Sequence, residues 1–346
     1  MRIAITGATG NVGTALLRRL AAEDVEVVGI CRRLPDPVGV YAGVRWESLD
    51  VAGPAALERL IEVFADVDAV IHTAWLIQPA RDSREMTRVN VTGSRQVVHA
   101  ALRAGVPHLV HVSSVGAYTT HPSDDEPVQE SWPATGIPSS QYSREKAFVE
   151  TQLDDVEREH PELVVTRIRP ALVFQRDAGS EIARYFAGGF APTRAIRRIP
   201  LPTLPLPTGL RFQVVHADDL ADAITRAVQR VPGGAFNVAD DPVLTADDLA
   251  RAFKAPRHVA LNRRLVRAAV DVSYRAHVHP VQPGWLDLGL GVPVMDTTRA
   301  REVLDWRPVH AARDVLTELL DGMRDHAGVA TGPLRPRSAV SSRTGT

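Results

Sequence analysis

The chain opens with a short apolar run, Arg2–Thr6, and passes through a glycine-rich stretch into Asn11–Ala22, where Val12, Leu16, Leu17 and Leu20 share one helical face. The alternation continues with strand-like Val25–Cys31, helix-like Pro54–Phe64, strand-like Ala69–His72, helix-like Val91–Ala104 and strand-like His108–Ser113. Strands nearly continuous in Val, Ile and Leu, separated by helices, predict a parallel sheet covered on both faces. Right-handed crossovers then give an α/β fold, a doubly wound parallel sheet.

Beyond about Ala178 the pattern changes. Ile199–Pro207 carries a proline every two or three residues, which excludes a helix or a central strand. Its alternating leucines and few polar residues predict a packed extended segment rather than a linker. Asp218–Val228, Thr245–Phe253 and Ala311–Met323 read as helices, and 328–346 as a flexible tail.

Composition narrows the function classes. Of 346 residues, Lys+Arg number 40 and Asp+Glu 41, a net charge of −1, so no basic excess points to nucleic acid. Cys31 is the one cysteine, which rules out an internal disulfide and a Cys-type zinc site. His277-Val-His279 has no companion ligands at suitable spacing, so no metal is expected. No stretch approaches the roughly 20 apolar residues of a membrane span. The N-terminus lacks a signal-peptide layout, and a cytoplasmic protein is expected.

Gly7-Ala-Thr-Gly10-Asn11-Val12-Gly13 lies between a strand and a helix. Glycine is needed there for a tight turn, for close approach of backbone to a pyrophosphate, and for helix–strand packing. Free N–H groups at the helix start favour the anion. The spacing is G-x-x-G-x-x-G, and the expectation is a bound dinucleotide. An NAD site usually ends its second strand with Asp or Glu on the ribose 2′-OH. Here Cys31-Arg32-Arg33 stands instead, and two guanidiniums suit a 2′-phosphate, so NADP(H) is favoured with NAD(H) as the alternative.

Tyr142-Ser-Arg-Glu-Lys146 is the most informative segment. The chain has two lysines, Lys146 and Lys254, and five tyrosines. Chance places a lysine four residues after a tyrosine about 3% of the time. On a helix the two side chains share a face. A nearby ammonium is expected to lower the tyrosine pKa, preparing the phenol for proton transfer to or from a carbinol or carbonyl oxygen. Upstream, Ser114 lies at a strand C-terminus, where ligands bind in open α/β sheets, and its hydroxyl can hold that oxygen.

These blocks, in this order, resemble the extended short-chain dehydrogenase/reductases, in their NAD(P)-dependent epimerase/dehydratase-like branch. The resemblance covers about residues 1–325. It also rests on Leu49-Asp50-Val51, Asp68–Ala74, Asn90-Val-Thr-Gly93, Arg169-Pro170, Val215–Leu220, Asp296–Arg301 and Leu304–Pro308. It implies a Rossmann domain over 1–174, with a segment around 210–240 returning to it, and a smaller substrate domain over 175–327. It implies that Ser114, Tyr142 and Lys146 are catalytic. Asp50 and Val51 would contact adenine, Ala74 and Asn90 would lie along the cofactor, and Pro170 and Val173 near the nicotinamide. A homodimer through Val91–Ala104 and Ser143–Leu153 is also implied.

There are departures from the family pattern. Trp75 stands where a small residue is common, which would narrow the pocket. Ala171-Leu-Val-Phe174 is apolar where nucleotide-sugar enzymes often carry an asparagine. The expected function is NADP(H)-dependent carbonyl reduction or alcohol oxidation on a small-molecule substrate, with Ile182–Pro207 lining an apolar pocket. The alternatives are a nucleotide-sugar epimerase or dehydratase that retains its cofactor, and a redox sensor without catalysis. Arg263, Arg264 and Arg267 read as solvated positions on a domain helix, with a substrate phosphate as the other option. Asp218-Asp219 and Asp247-Asp248 read as helix caps.

Overall fold

The computed structural model describes residues 1–77, 83–124, 126–187, 193–198, 201–276 and 281–336. Its first strands are β1 (Arg2–Thr6), β2 (Glu26–Cys31), β3 (Arg45–Ser48), β4 (Ala69–His72), β5 (His108–Val112) and β6 (Val164–Pro170). With Gly234–Val238 they form a seven-stranded sheet in the order Gly234–Val238, β6, β5, β4, β1, β2, β3, and every pairing is parallel. The order reverses between β1 and β4, and that crevice at the strand C-termini is where ligands bind in such sheets.

Alternation along the strands builds two cores. Ile3 and Ile5 face helices Asn11–Leu20 and Ala217–Arg230, joined by Phe236 and the fully buried Trp306. Ala4, Val28 and Ile30 face helices Ala56–Phe64, Ser94–Ala104 and Gln141–Glu159. This gives a three-layer α/β/α stack. Strand β3 has no counterpart in the sequence reading, because Arg45 and Ser48 are exposed at the sheet edge and break the apolar run. The helix expected from Val91 starts at Ser83 and passes through a π-helical stretch, Arg88–Gly93, before Ser94–Ala104.

A smaller unit gathers around Phe174, Val214, Leu244 and helix Ala312–Asp325. Leu204–Pro207, from the proline-rich stretch, pairs in parallel with His258–Leu261, away from the main sheet. Residues 199–200 of that stretch, and His277–His279, fall outside the described residues.

Two expectations need correcting. The tail foreseen from residue 328 is packed as far as Leu334, which is fully buried, and Thr331 is 2% exposed. Asp219 does not cap its own helix. Its carboxylate accepts hydrogen bonds from Val309 N (3.2 Å), His310 N (3.0 Å) and His310 Nδ1 (2.9 Å), pinning the chain after Trp306. Asp248 does cap, in a reciprocal box with Thr245.

Candidate active site

At the C-terminus of β1 the backbone turns at Gly7, whose φ is +72°, and a Cβ there would sit 2.8 Å from Ala74 N and Cα. A Cβ on Gly13 would come within 2.3 Å of Gly7 O and 2.6 Å of Ala8, so the helix can approach the strand only through glycine. At Gly10 a Cβ would meet only Gly7 O, at 3.3 Å, with the rest of its surroundings open. These are the three demands of a pyrophosphate cradle.

The loop opens onto a cavity of about 710 Å³. Gly7, Gly10, Asn11, Val12 and Gly13 form one part of its wall, and Arg32, Arg33, Asp50 and Val51 another. Ala74, Ser114, Tyr142, Lys146, Pro170 and Val173 complete the set brought together from the sequence. Asn90 is the exception. It is fully buried behind the wall, where Oδ1 accepts from Leu76 N (2.7 Å) and Nδ2 donates to Leu76 O (3.0 Å) and Glu145 Oε2 (2.8 Å). It fastens the strip Ala74–Leu76 in place. Asp50 is likewise engaged: Oδ1 accepts from Ala52 N (3.1 Å), and Oδ2 pairs with Arg88 (2.9 Å). These contacts hold its carboxyl below the ordinary range against the opposing effect of burial.

Ser114 follows β5 in extended backbone and its Oγ accepts from Gly116 N at 2.9 Å. Tyr142 starts helix Gln141–Glu159, its ring 5.3 Å from that of Trp285 and 6.2 Å from that of Trp75. A Cβ on Gly116 would press to 2.8 Å from the Tyr142 ring, so glycine there gives the phenol its place. One turn on, Lys146 Nζ donates to Val112 O (2.8 Å) and lies 3.5 Å from the centroid of the Trp75 ring.

The electrostatics reverse one expectation. Burial pushes Tyr142 up to about 12, offset in part by a hydrogen bond with Ser114. Burial also pulls Lys146 down to about 7, against the attraction of Glu150 and Glu145. The ammonium is turned to a carbonyl and an indole, so it does not lower the phenol pKa. Burial is the main cause of both shifts, and Trp75, stacked over the ammonium, contributes to the burial of Lys146. Below the site, Ser113 Oγ donates to Glu150 Oε1 (2.6 Å) and Arg169 forks onto both Glu150 oxygens at 2.9 Å. His72 is pulled down to about 3 by burial, and is held by Thr6 (2.7 Å) and Ser94 (2.9 Å).

Two parts of the wall had no signal in the sequence. Gly332 and Pro333 reach the cavity because the C-terminal segment folds across the glycine loop. Thr331 Oγ1 donates to Thr9 O (3.2 Å), and Arg184 donates to the carbonyls of Pro333 and Arg335. Glu181, Tyr185, Arg211 and Phe212 come from the smaller unit. Of 182–207, expected to line the pocket, Ile182, Arg184 and Tyr185 do so; 193–198 and 201–207 do not reach it, and 188–192 and 199–200 lie outside the described residues. Arg263, Arg264 and Arg267 do not reach the cavity, and Arg267 pairs with Asp287 (2.8 Å).

Residues 3–239 match the sequence profile of the NAD dependent epimerase/dehydratase family. The chain belongs to this family. The family is one of NAD-dependent enzymes. UDP-glucose 4-epimerase of Mycolicibacterium smegmatis is 28% identical over 344 residues, 94% of this chain and 99% of that protein. Sterol demethylase protein B of Methylococcus capsulatus is 33% identical over 154 residues, 43% of this chain and 45% of that protein. An uncharacterized protein of Mycobacterium tuberculosis is 26% identical over 95% of this chain, which spans 31% of that relative's length. Among solved structures, Thermus thermophilus UDP-glucose 4-epimerase in complex with NAD shares the fold, with a TM-score of 0.69, 22% identity, and coverage of 94% of this chain and 99% of that one. Among the described residues no helix is long and apolar enough to cross a membrane.

Proposed function

We propose that this protein is an NADP(H)-dependent oxidoreductase that reduces a carbonyl or oxidises the corresponding alcohol, with Ser114, Tyr142 and Lys146 as its catalytic residues. The observation that carries the proposal is the cavity wall at the end of β2, where Arg32 and Arg33 stand with no carboxylate on that strand end. Two guanidiniums suit a 2′-phosphate and disfavour none of the rest of a dinucleotide. The glycine cradle fits the pyrophosphate, Asp50 and Val51 would flank the adenine, and Ala74, Pro170 and Val173 form the wall toward the nicotinamide. Asn90 would act on the cofactor only through the strip it fastens.

When bound, the nicotinamide supplies or accepts the hydride. The chain handles the oxygen. Ser114 Oγ donates to the substrate oxygen and fixes its position. Tyr142, held protonated by its buried setting, gives that oxygen its proton, which suits the reduction direction. Lys146, on the cavity wall one turn away, would act on the ribose hydroxyls of the bound dinucleotide. Phe174, Phe212, Leu288, Val292 and Val294 give the substrate an apolar surround. The likeness to a protein named for sterol demethylation agrees with an apolar substrate. A homodimer through Ser94–Ala104 and Gln141–Glu159 belongs to the same proposal; Phe148 on the latter helix is 52% exposed.

A second reading, a nucleotide-sugar epimerase with retained cofactor, draws on the full-length likeness to UDP-glucose 4-epimerase. The same three side chains serve it. Tyr142→Phe tests the shared chemistry: turnover should fall roughly 10²-fold or more while NADPH affinity stays within about twofold. Retained turnover would remove Tyr142 from the mechanism.

A further inference from the structure

The substrate half of the cavity carries a buried acid that this chemistry does not use. Glu181 lies on the short helix Gly179–Ile182 and is 8% exposed. It lines the cavity beside Ile182, Tyr185 and Phe212. Its Oε1 accepts from Tyr185 Oη at 2.9 Å, and its Oε2 has no hydrogen-bond partner among the described residues. Neighbouring polar groups are committed elsewhere. Gln213 exchanges two hydrogen bonds with the Met295 backbone (3.1 and 2.7 Å), and Arg184 holds the carbonyls of Pro333 and Arg335.

Glu181 lines the open cavity, where water can serve that oxygen; a ligand that displaces the water would leave the acceptor unpaired, so it should bring a donor. Arg184 is close enough to act on the Glu181 charge, so a second cation would be repelled while a neutral hydroxyl would not. An anion meets the reverse problem. Arg211 reaches the same wall and favours it, but a phosphate pressed against a carboxylate is a like-charge contact. We propose that Glu181 sets the substrate class, accepting a hydrogen bond from a hydroxyl on an otherwise apolar, uncharged carbonyl substrate and turning away substrates that carry phosphate. The proposal rests on the oxidoreductase reading and names its substrate class. Burial pushes Glu181 up to about 7, so the exclusion should strengthen as pH rises through neutrality.

The test uses the NADP⁺-loaded protein, with Glu181→Gln and Glu181→Ala beside the wild type. UDP-glucose is the phosphate-bearing probe, titrated calorimetrically at pH 6 and 8.5. Kinetics with NADPH compare decalone and a hydroxylated decalone. At pH 8.5 the wild type should bind UDP-glucose at least tenfold more weakly than Glu181→Gln, with the gap narrowing at pH 6. The wild type should bind the probe better at pH 6 than at pH 8.5; Lys146 on the same wall also loses its charge near 7, so the part of this pH dependence that belongs to Glu181 is the part absent from Glu181→Gln. The hydroxylated ketone should be preferred at least tenfold in kcat/KM by the wild type, less by Glu181→Gln and not by Glu181→Ala. Equal UDP-glucose binding by wild type and Glu181→Gln at pH 8.5, or a hydroxyl preference that survives in Glu181→Ala, overturns the assignment. If neither ketone is turned over, the oxidoreductase reading fails on its own. The UDP-glucose arm then decides whether Glu181 excludes phosphate.

Discussion

Lys146 gives the sharpest quantitative test. The residue is 2% exposed, and its ammonium lies 3.5 Å from the Trp75 ring centroid and donates to Val112 O. A fall from the ordinary 10.5 to about 7 corresponds to roughly 5 kcal/mol against the charged form, at about 1.4 kcal/mol per pH unit. Removing the indole with Trp75→Ala has two opposed effects. The lost cation–π contact, about 2 kcal/mol when desolvated, favours the neutral amine. Water admitted to the site favours the ammonium, and burial is the largest cause of the depression, so hydration wins. The Lys146 midpoint should therefore rise by more than one unit. Because the chain has only two lysines, ¹³C-lysine labelling gives two Cε signals, assigned with Lys254→Arg. The folded state releases the Lys146 proton near 7 and the unfolded chain near 10.5, so the unfolded state binds more protons between them. Stability should rise with pH across that window, and Lys146→Met should flatten the rise. A native midpoint within one unit of 10.5, or no change in Trp75→Ala, would refute the reasoning.

Other substitutions probe the frame. Gly13→Ala places a methyl 2.3 Å from Gly7 O. It should destabilise the fold by about 1–3 kcal/mol in thermal melts and lower dinucleotide affinity sharply by fluorescence titration; an unchanged affinity would contradict the cradle. Leu334→Ala removes a fully buried anchor of the C-terminal segment, which should loosen its attachment by about 2–5 kcal/mol. NADPH dissociation in stopped flow should then speed up at least tenfold, and an unaltered rate would show that cofactor exchange does not require this segment to lift.

Much of the architecture is written in local pattern. The buried strands are apolar on both faces, so β1, β2, β4 and β5 stand out from the helices between them. The glycine loop and the Tyr142–Lys146 pair are legible because backbone space and helix periodicity fix their spacing. What was hidden depends on distant contacts. Asn90 carries a family motif, yet its amide is spent on Leu76, 14 residues upstream. Thr331 bonds Thr9 across 322 residues, and nothing in a small, polar C-terminal sequence announces that. Lysine beside tyrosine suggested a lowered phenol pKa, but burial is the main cause of both shifts. Glu181 sits in an unremarkable helical stretch, and only the fold shows that it is buried against the cavity.

The central claim turns on which dinucleotide the protein takes. Freshly purified protein should be denatured and any released nucleotide identified, after which cofactor-free protein is titrated with NADPH and NADH by fluorescence. The account predicts an exchangeable site that binds NADPH at least tenfold more tightly, with the preference lost in the Arg32→Ala, Arg33→Ala double variant. Tightly held NAD, or NADH affinity equal to or above that for NADPH, would contradict it and point instead to a closed hydride cycle on a nucleotide sugar.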